Sequence, residues 1–235
     1  MAVGHLQLAT TTNSLGGTPM LLLLHDPVAS WLVGAAVAVM VVGEVVATYL
    51  GQARDGERRL LGSLAESLLL VRRRDGAVAE DRWTLWIIVL ASRAGLAAAL
   101  AIAALAPGLR AHANDLWTLG FGVAAVLAGV ALRAWAILTL GRYFRREVTI
   151  EPGQRLVRRG PYRLVRHPSY TGILLSFAGL GLAFGSWVSA AVAPLILFAG
   201  MLPRIRVEER ALARAFGSDY TDYARSTARV LPHVW

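Results

Sequence analysis

Between two long apolar segments the chain places Arg159, Gly160, Pro161, Tyr162, Arg163, Leu164, Val165, Arg166, His167, Pro168, Ser169, Tyr170, Thr171 and Gly172 in unbroken order. Two further groups follow: Arg204 to Glu209, which ends in paired glutamates, and Phe216 to Tyr223. An imidazole, phenols, guanidinium groups and twin carboxylates set where apolar segments end make a polar site at a bilayer surface. Arg204 stands four residues before Glu208, so on a helix the two share a face. That spacing admits two readings. One is a solvated ion pair. The other is a working pair, with the carboxylate accepting from hydroxyls or an ammonium group and Arg204 meeting an anionic group on a substrate. Glu208 and Glu209 point in adjacent directions, so both need not serve one ligand. Phe216, Tyr220 and Tyr223 supply either an apolar or adenine-stacking wall, or packing against the membrane surface.

The loop around His167 should hold a defined irregular shape. Pro161 and Pro168 restrict the residues before them away from helix, and Gly160 tolerates unusual dihedrals. The next helix is expected to begin at Tyr170 or Thr171. His167 and Tyr170 then lie near a helix N-terminus, where free backbone N–H groups can receive an anion such as a carboxylate. A basic juxtamembrane turn anchored by interfacial tyrosines has the same composition. Residues 204–216 read as a separate short helix stopped by Gly217.

The elements that must position these residues are apolar. Of 235 residues 56% are hydrophobic and only 17% charged, less charge than a soluble domain of this length usually carries. Several runs approach the ~20 residues that cross a bilayer. The expected fold is all-α, a polytopic membrane protein with five spans: Ala29–Leu50, Trp83–Ala106, Leu116–Leu140, Tyr170–Gly185 and Trp187–Met201. The last two form a hairpin through Gly185, Ser186 and Trp187, and Gly181 and Gly185 have the small-xxx-small spacing of close helix contacts. Pro194 and Pro203 are expected to kink the fifth span and loosen its exit. Residues 20–24 are too short to span and read as an interfacial stub.

Arginine placement tests this topology. All 24 basic residues are Arg, with seven in 51–82, one in 107–115, eight in 141–169, none in 185–187 and six from 204 onward. Rich and poor segments alternate, as the positive-inside rule expects. The N-terminus is therefore expected outside, with the C-terminus and all three motif segments in the cytoplasm. The same distribution reads the formal +9 charge as a topology signal, with no nucleic-acid partner implied. Leu60, Leu61, Leu64, Leu68 and Leu69, followed by Arg72, Arg73 and Arg74, read as an interfacial amphipathic helix, either a connector or a lid. Glu44, Arg93 and Arg133 fall inside spans. Such charges face a partner or a cavity, and Glu44 is expected to pair with Arg93 or Arg133.

Other chemistries find little support. No Cys is present, so disulfides and Cys-ligated metals are excluded. The five His are too scattered for a metal site. No glycine-rich dinucleotide or Walker loop precedes a helix, and no nucleophile–His arrangement is readable.

Four pieces, taken in order around a helical hairpin, resemble the isoprenylcysteine carboxyl methyltransferase and phospholipid methyltransferase family. They are Gly160-Pro161-Tyr162, the Arg166-His167-Pro168-x-Tyr170-x-Gly172 run, Arg204 with Glu208 and Glu209, and Phe216-Gly217 with Tyr220 and Tyr223. The similarity covers about Gly141 to Leu231. It implies an integral membrane enzyme using S-adenosylmethionine. It implies cofactor binding by Tyr162, His167, Pro168, Tyr170, Glu208 and Glu209, with Arg204 and Glu208 as catalytic residues. Arg204 and Arg133 are the candidates for binding the acceptor. Residues 1–140 would shape substrate access and 141–235 the cofactor region, in one integrated membrane domain. The implied partners are membrane lipids and a lipophilic acceptor, with carboxylate O-methylation favoured. A carboxylate acceptor is already ionised and needs no general base. An amine would need a proton removed, with Glu208 or Glu209 as base. The all-arginine complement fits a GC-rich genome, and the expected location is a bacterial inner membrane. Two rival classes are a sterol-type reductase using NADPH and a membrane scaffold or transporter. The reductases share the His-Pro-x-Tyr element, but an Asn often precedes the Tyr and an acid often follows the Gly, where this chain has Ser169 and Ile173. A transporter would more often show broken helices in repeated halves.

Overall fold

A computed structural model describes residues 27–53, 83–105, 116–145, 150 and 153–232. Every regular element among them is helical: α1 Pro27–Ala53, α2 Thr84–Leu105, α3 Leu116–Leu140, α4 Pro168–Ala183, α5 Trp187–Phe216 and α6 Ser218–Ser226, with short 3-10 turns at Gly141–Tyr143 and Gly160–Arg163. Three helices are long and apolar enough to cross a membrane: Thr84–Leu105, Trp117–Leu140 and Trp187–Phe216. The chain is an integral membrane protein. The expected amphipathic helix near Leu60 and the stub at 20–24 lie outside the described residues, as does the side chain of Glu44.

Contacts fix the direction of each helix. Ser189 donates to the Ala99 carbonyl at 2.9 Å, and Arg204 reaches Thr84 at the other end of α2, so α2 and α5 are antiparallel. Gly122 faces Gly179, and Gly129 faces Gly172, so α3 and α4 are antiparallel too. Val33 packs near Leu119 and Gly43 meets Val130, so α1 runs parallel to α3. The starts of α2 and α4 and the later part of α5 therefore share one end of the bundle. The exposed tryptophans sort by end: Trp31, Trp117 and Trp187 at one, Trp83, Trp86 and Trp135 at the other. That is the double aromatic belt of a membrane protein.

Lipid tails are as apolar as leucine, so helix association here relies on close shape rather than on water exclusion. The α3–α4 seam meets this need with glycine. A Cβ on Gly172 would sit 2.5 Å from the Gly129 carbonyl oxygen, and one on Gly179 2.6 Å from that of Gly122. This seam was not legible in the small-residue spacing of Gly181 and Gly185. Gly181 does touch α5, where a Cβ would collide with Ala190, but Gly185 supplies the turn, with φ of 74° and open space around it. Ser186 then caps α5 by accepting from the Ser189 N–H at 3.1 Å.

Two boundaries differ from expectation. α4 begins at Pro168, not at Tyr170 or Thr171, with His167 as its N-cap. Proline suits a first helical position, because the N–H it lacks would have no partner there. The fifth span and the expected 204–216 helix are one continuous helix of 30 residues running through Pro194 and Pro203. Packing against neighbours tolerates the lost bonds. At ~1.5 Å per residue such a helix measures ~45 Å and outruns a ~30 Å hydrocarbon core. A helix of that length has turns to spare for projecting past the hydrocarbon. Gly217 ends it as expected, with φ of 55°.

Candidate functional site

The site forms where the start of α4 meets the projecting part of α5. His167, at the α4 cap, stacks on Tyr170 one turn later, with ring centroids 5.5 Å apart. The Tyr170 hydroxyl donates to Glu208 Oε2 at 3.0 Å and accepts from Arg204 Nε at 3.0 Å. Arg204 and Glu208, expected to share a helix face, are thus joined through a phenol from another helix. Arg204 is only 4% exposed, and its Nη1 lies 3.4 Å from the hydroxyl of Thr84. A buried guanidinium keeps its charge and holds a fixed fork of donors.

The twin glutamates diverge. Glu208 lines a cavity of about 510 Å³. Glu209 is not among the lining residues. Arg229 Nε donates to it at 2.9 Å, and Arg166 Nε lies 3.0 Å from it. His167 stands between the two, with Nδ1 3.7 Å from Glu208 and Nε2 3.4 Å from Glu209. Of these two approaches, the one to Glu209 is within hydrogen-bond reach.

Glu209 belongs to a clamp on the C-terminal tail. Residues 228–230 run parallel to 165–167 through the bridge of Val165 with Ala228. The N–H groups of Arg166 and His167 donate to the carbonyls of Ala228 and Arg229, both at 2.8 Å. Thr171 donates its hydroxyl to the Val230 carbonyl at 2.7 Å. The loop that looked irregular in sequence is therefore held by the tail. Gly160, at φ of 57°, opens its 3-10 turn, and Tyr223 donates to the Tyr162 carbonyl at 2.7 Å.

Tyr162, His167, Tyr170, Arg133, Arg204 and Glu208 all line the one cavity, whereas Pro168 and Glu209 do not. Arg133 donates to the hydroxyl of Ser169. Arg93 lines the cavity too. Phe216, Tyr220 and Tyr223 form its outer wall. Burial, reinforced by the nearby Glu208 charge, holds the Tyr162 phenol well above its ordinary pKa. Burial pushes Tyr223 up to about 12. Both stay protonated near neutral pH, which leaves Tyr223 able to donate to the Tyr162 carbonyl. The Tyr220 hydroxyl is buried without a hydrogen-bond partner among the described residues, an orphan that a ligand group would satisfy. Toward the bundle the lining becomes apolar through Leu96, Val130, Phe177, Leu197 and Met201. Among the described lining residues Glu208 is the one carboxylate, set against six arginines: Arg93, Arg133, Arg145, Arg155, Arg166 and Arg204. Thr84, Ser169 and Arg229 were missed in the sequence reading. Thr84 and Arg229 lie far from the motifs they complete, and no spacing marks them.

The fold and the site define a polytopic α-helical membrane protein with a deep ligand cavity, polar where its helices emerge and apolar within the bundle. The family description "Isoprenylcysteine carboxyl methyltransferase (ICMT) family" matches residues 121–214. The protein-S-isoprenylcysteine O-methyltransferase A of Arabidopsis thaliana is 37% identical over 130 residues, covering 54% of this chain and 64% of that one. The "Probable protein-S-isoprenylcysteine O-methyltransferase" of Oryza sativa subsp. indica is 29% identical over 208 residues, covering 87% and 96%. The solved eukaryotic intramembrane Ras methyltransferase ICMT has the same fold, with a TM-score of 0.64 at 21% identity over 92% of this chain and 72% of that one. Over residues 121–214 the chain is similar to the isoprenylcysteine carboxyl methyltransferase family. It spans just under two thirds of the length of the Arabidopsis relative.

Proposed function

We propose that this protein transfers a methyl group from S-adenosylmethionine to the carboxylate of a lipophilic acceptor that enters from the bilayer. The observation that carries this reading is the single cavity joining Glu208, Tyr170 and Arg204 to an apolar interior. Its residues suit both ligands. Glu208 accepts from an ammonium group or sugar hydroxyls, the aromatic wall of Phe216, Tyr220 and Tyr223 covers a purine, and the Tyr220 hydroxyl gains a partner. The cofactor supplies an electrophilic methyl on a sulfonium. The chain's own work is to orient the acceptor in line and keep water out. Arg204, dry and fixed by Tyr170 and Thr84, holds the acceptor carboxylate, with Arg133 as a second cation. A lining of six arginines and one carboxylate favours an anionic acceptor over an amine, because among the described lining residues Glu208 is the one carboxylate that could take a proton as a base.

α1 packs on α3 and α2 on α5. We take the slot between α1 and α2 as the entrance for the acceptor's apolar part, past Met40, Ile88 and Leu96. All five helices α1 to α5 cross the bilayer in this reading, with the arginine-rich end and the site in the cytoplasm of a bacterial cell.

Calorimetric titration of detergent-purified protein with S-adenosylhomocysteine, and in parallel with NADPH, tests the cofactor. Saturable binding of the former alone is expected; binding of NADPH alone, or of neither, overturns it. The acceptor class is tested with labelled cofactor and two probes, a prenylated cysteine with a free carboxylate and its carboxamide. Methylation of the acid alone is expected.

A further inference from the structure

On the outer side of the Glu209 clamp lies a second concavity of about 430 Å³, separate from the cavity described above. Its lining includes four arginines, Arg163, Arg166, Arg225 and Arg229, and no carboxylate. Ser226 and Thr227 add hydroxyl groups between them. Two of the arginines are anchored from behind: Arg166 lies against Glu209 and donates to the Ala224 carbonyl, and Arg229 donates to Glu209. Arg163 and Arg225 stand exposed on the rim. Arg225 meets Asp222 at 3.3 Å, but both side chains are more than half exposed, so that pair is solvent-screened and weak.

The depth of this concavity is set by the tail. Val230 is 1% exposed and belongs to the core formed with Phe177, Leu197, Met201 and Ile205. Its carbonyl is bound to the first turns of α4. The next residues, Leu231 and Pro232, are exposed, and Pro232 lines the concavity. Leu164, 62% exposed, lines it as well. Two exposed leucines, Leu164 and Leu231, therefore flank an arginine cluster at the level where α4 enters the apolar bundle. Exposed leucines beside cations match the boundary between acyl chains and headgroups, and basic pockets at this depth suit phosphate-bearing lipids.

We propose that this concavity is a binding site for the phosphate of an anionic membrane lipid, with Arg163 and Arg225 as its outer ligands and Arg229 at its back. The lipid's chains lie against Leu164 and Leu231. A lipid bound there bridges the 160–167 loop and the tail, the two strands that the Glu209 clamp joins from inside. It is independent of methyl transfer and needs no assay of it.

The test uses the full chain in nanodiscs of phosphatidylcholine mixed with phosphatidylglycerol, with retained lipid read by native mass spectrometry. Retention of phosphatidylglycerol over phosphatidylcholine is expected. Removing the rim cations in Arg163→Gln with Arg225→Gln should weaken retention roughly fivefold per arginine. The Arg163→Lys with Arg225→Lys variant should restore most of it. Arg206→Gln, an exposed arginine on α5 outside the concavity, should change nothing. Wild-type retention by the double glutamine variant, or an equal loss in Arg206→Gln, overturns the proposal. Displacement of the lipid by an equal concentration of inorganic phosphate would assign the site to free phosphate and overturn it as well.

Discussion

The first half of α5, from Trp187 to Met201, and its second half, from Arg204 to Phe216, are held by opposite means. In the first half the contacts are small and shape-matched. Ala193 lies against Gly95, and Gly200 against Ala91. One polar bond, from Ser189 to the Ala99 carbonyl, crosses to α2. In the second half the contacts are charged and directional, running from Arg204 through Tyr170 to Glu208, and from Glu209 to Arg229 and His167. The difference follows from the solvent. In lipid, apolar area gives no preference for a neighbouring helix over a lipid tail, so close approach decides. Beyond the hydrocarbon, water competes for every charge, so only buried and multiply bonded charges hold a geometry. One rigid rod thus lets a shape-fixed membrane half aim the charge-fixed half that lines the cavity.

Substitutions can break this comparison at either end. The largest effect is expected from Arg204→Ala. Turnover should fall by about 10²-fold or more, as for loss of a group that orients charge in a dry site. Binding of S-adenosylhomocysteine by calorimetry should persist if Arg204 serves the acceptor as proposed. Loss of both together would mean that Arg204 holds the site's structure and not the acceptor.

Next come the neighbouring glutamates, which should separate function from fold. Glu208→Gln should weaken cofactor binding by about 10- to 100-fold, the scale of hydrogen bonds to a charged group, with little change in thermal unfolding. Glu209→Gln should do the reverse. It loosens the tail by about 1–3 kcal/mol, seen as faster hydrogen exchange at Arg166 and His167, whose amides are bonded to tail carbonyls. If both variants lose cofactor to the same degree without loosening the tail, the division of labour drawn here is wrong.

Within the bilayer, Gly172→Ala should cost about 1–3 kcal/mol of stability in detergent unfolding, because neither backbone at the α3–α4 seam can retreat. The smallest effect belongs to Ser189→Ala. Removing a lone interhelical hydrogen bond in a membrane is worth about 0.6 kcal/mol, so its unfolding curve should nearly overlay that of the parent. A large loss there would show that polar bonds also govern the membrane half.

Much of this is legible in the sequence. Apolar runs marked the helices, and arginine alternation agreed with the observed grouping of helix ends. The residues that line the cavity were already conspicuous as a His, tyrosines and charges set between apolar runs. The fate of the twin glutamates was only half legible. Adjacent helix positions point in different directions, but nothing in the sequence says what stands opposite each. Arg229 is twenty residues from Glu209, and Thr84 is 120 residues from Arg204. The glycine seam stayed hidden because Gly122 and Gly129 are small residues in an alanine-rich helix, and only the antiparallel partner reveals which of them must be bare. The continuity of α5 through Pro203 was also hidden, because a local rule against proline yields to packing on neighbouring helices.

The sequence by itself determined that this chain is a bundle of apolar helices with a basic, aromatic and acidic site at one end, since hydropathy and charge placement depend on local composition and the bilayer alone. The tertiary structure decided which carboxylate faces the ligand, which glycines must stay bare and which distant residues complete the site. Those choices depend on which side chains from remote segments arrive at the same few ångströms, and no spacing along the chain encodes that distance.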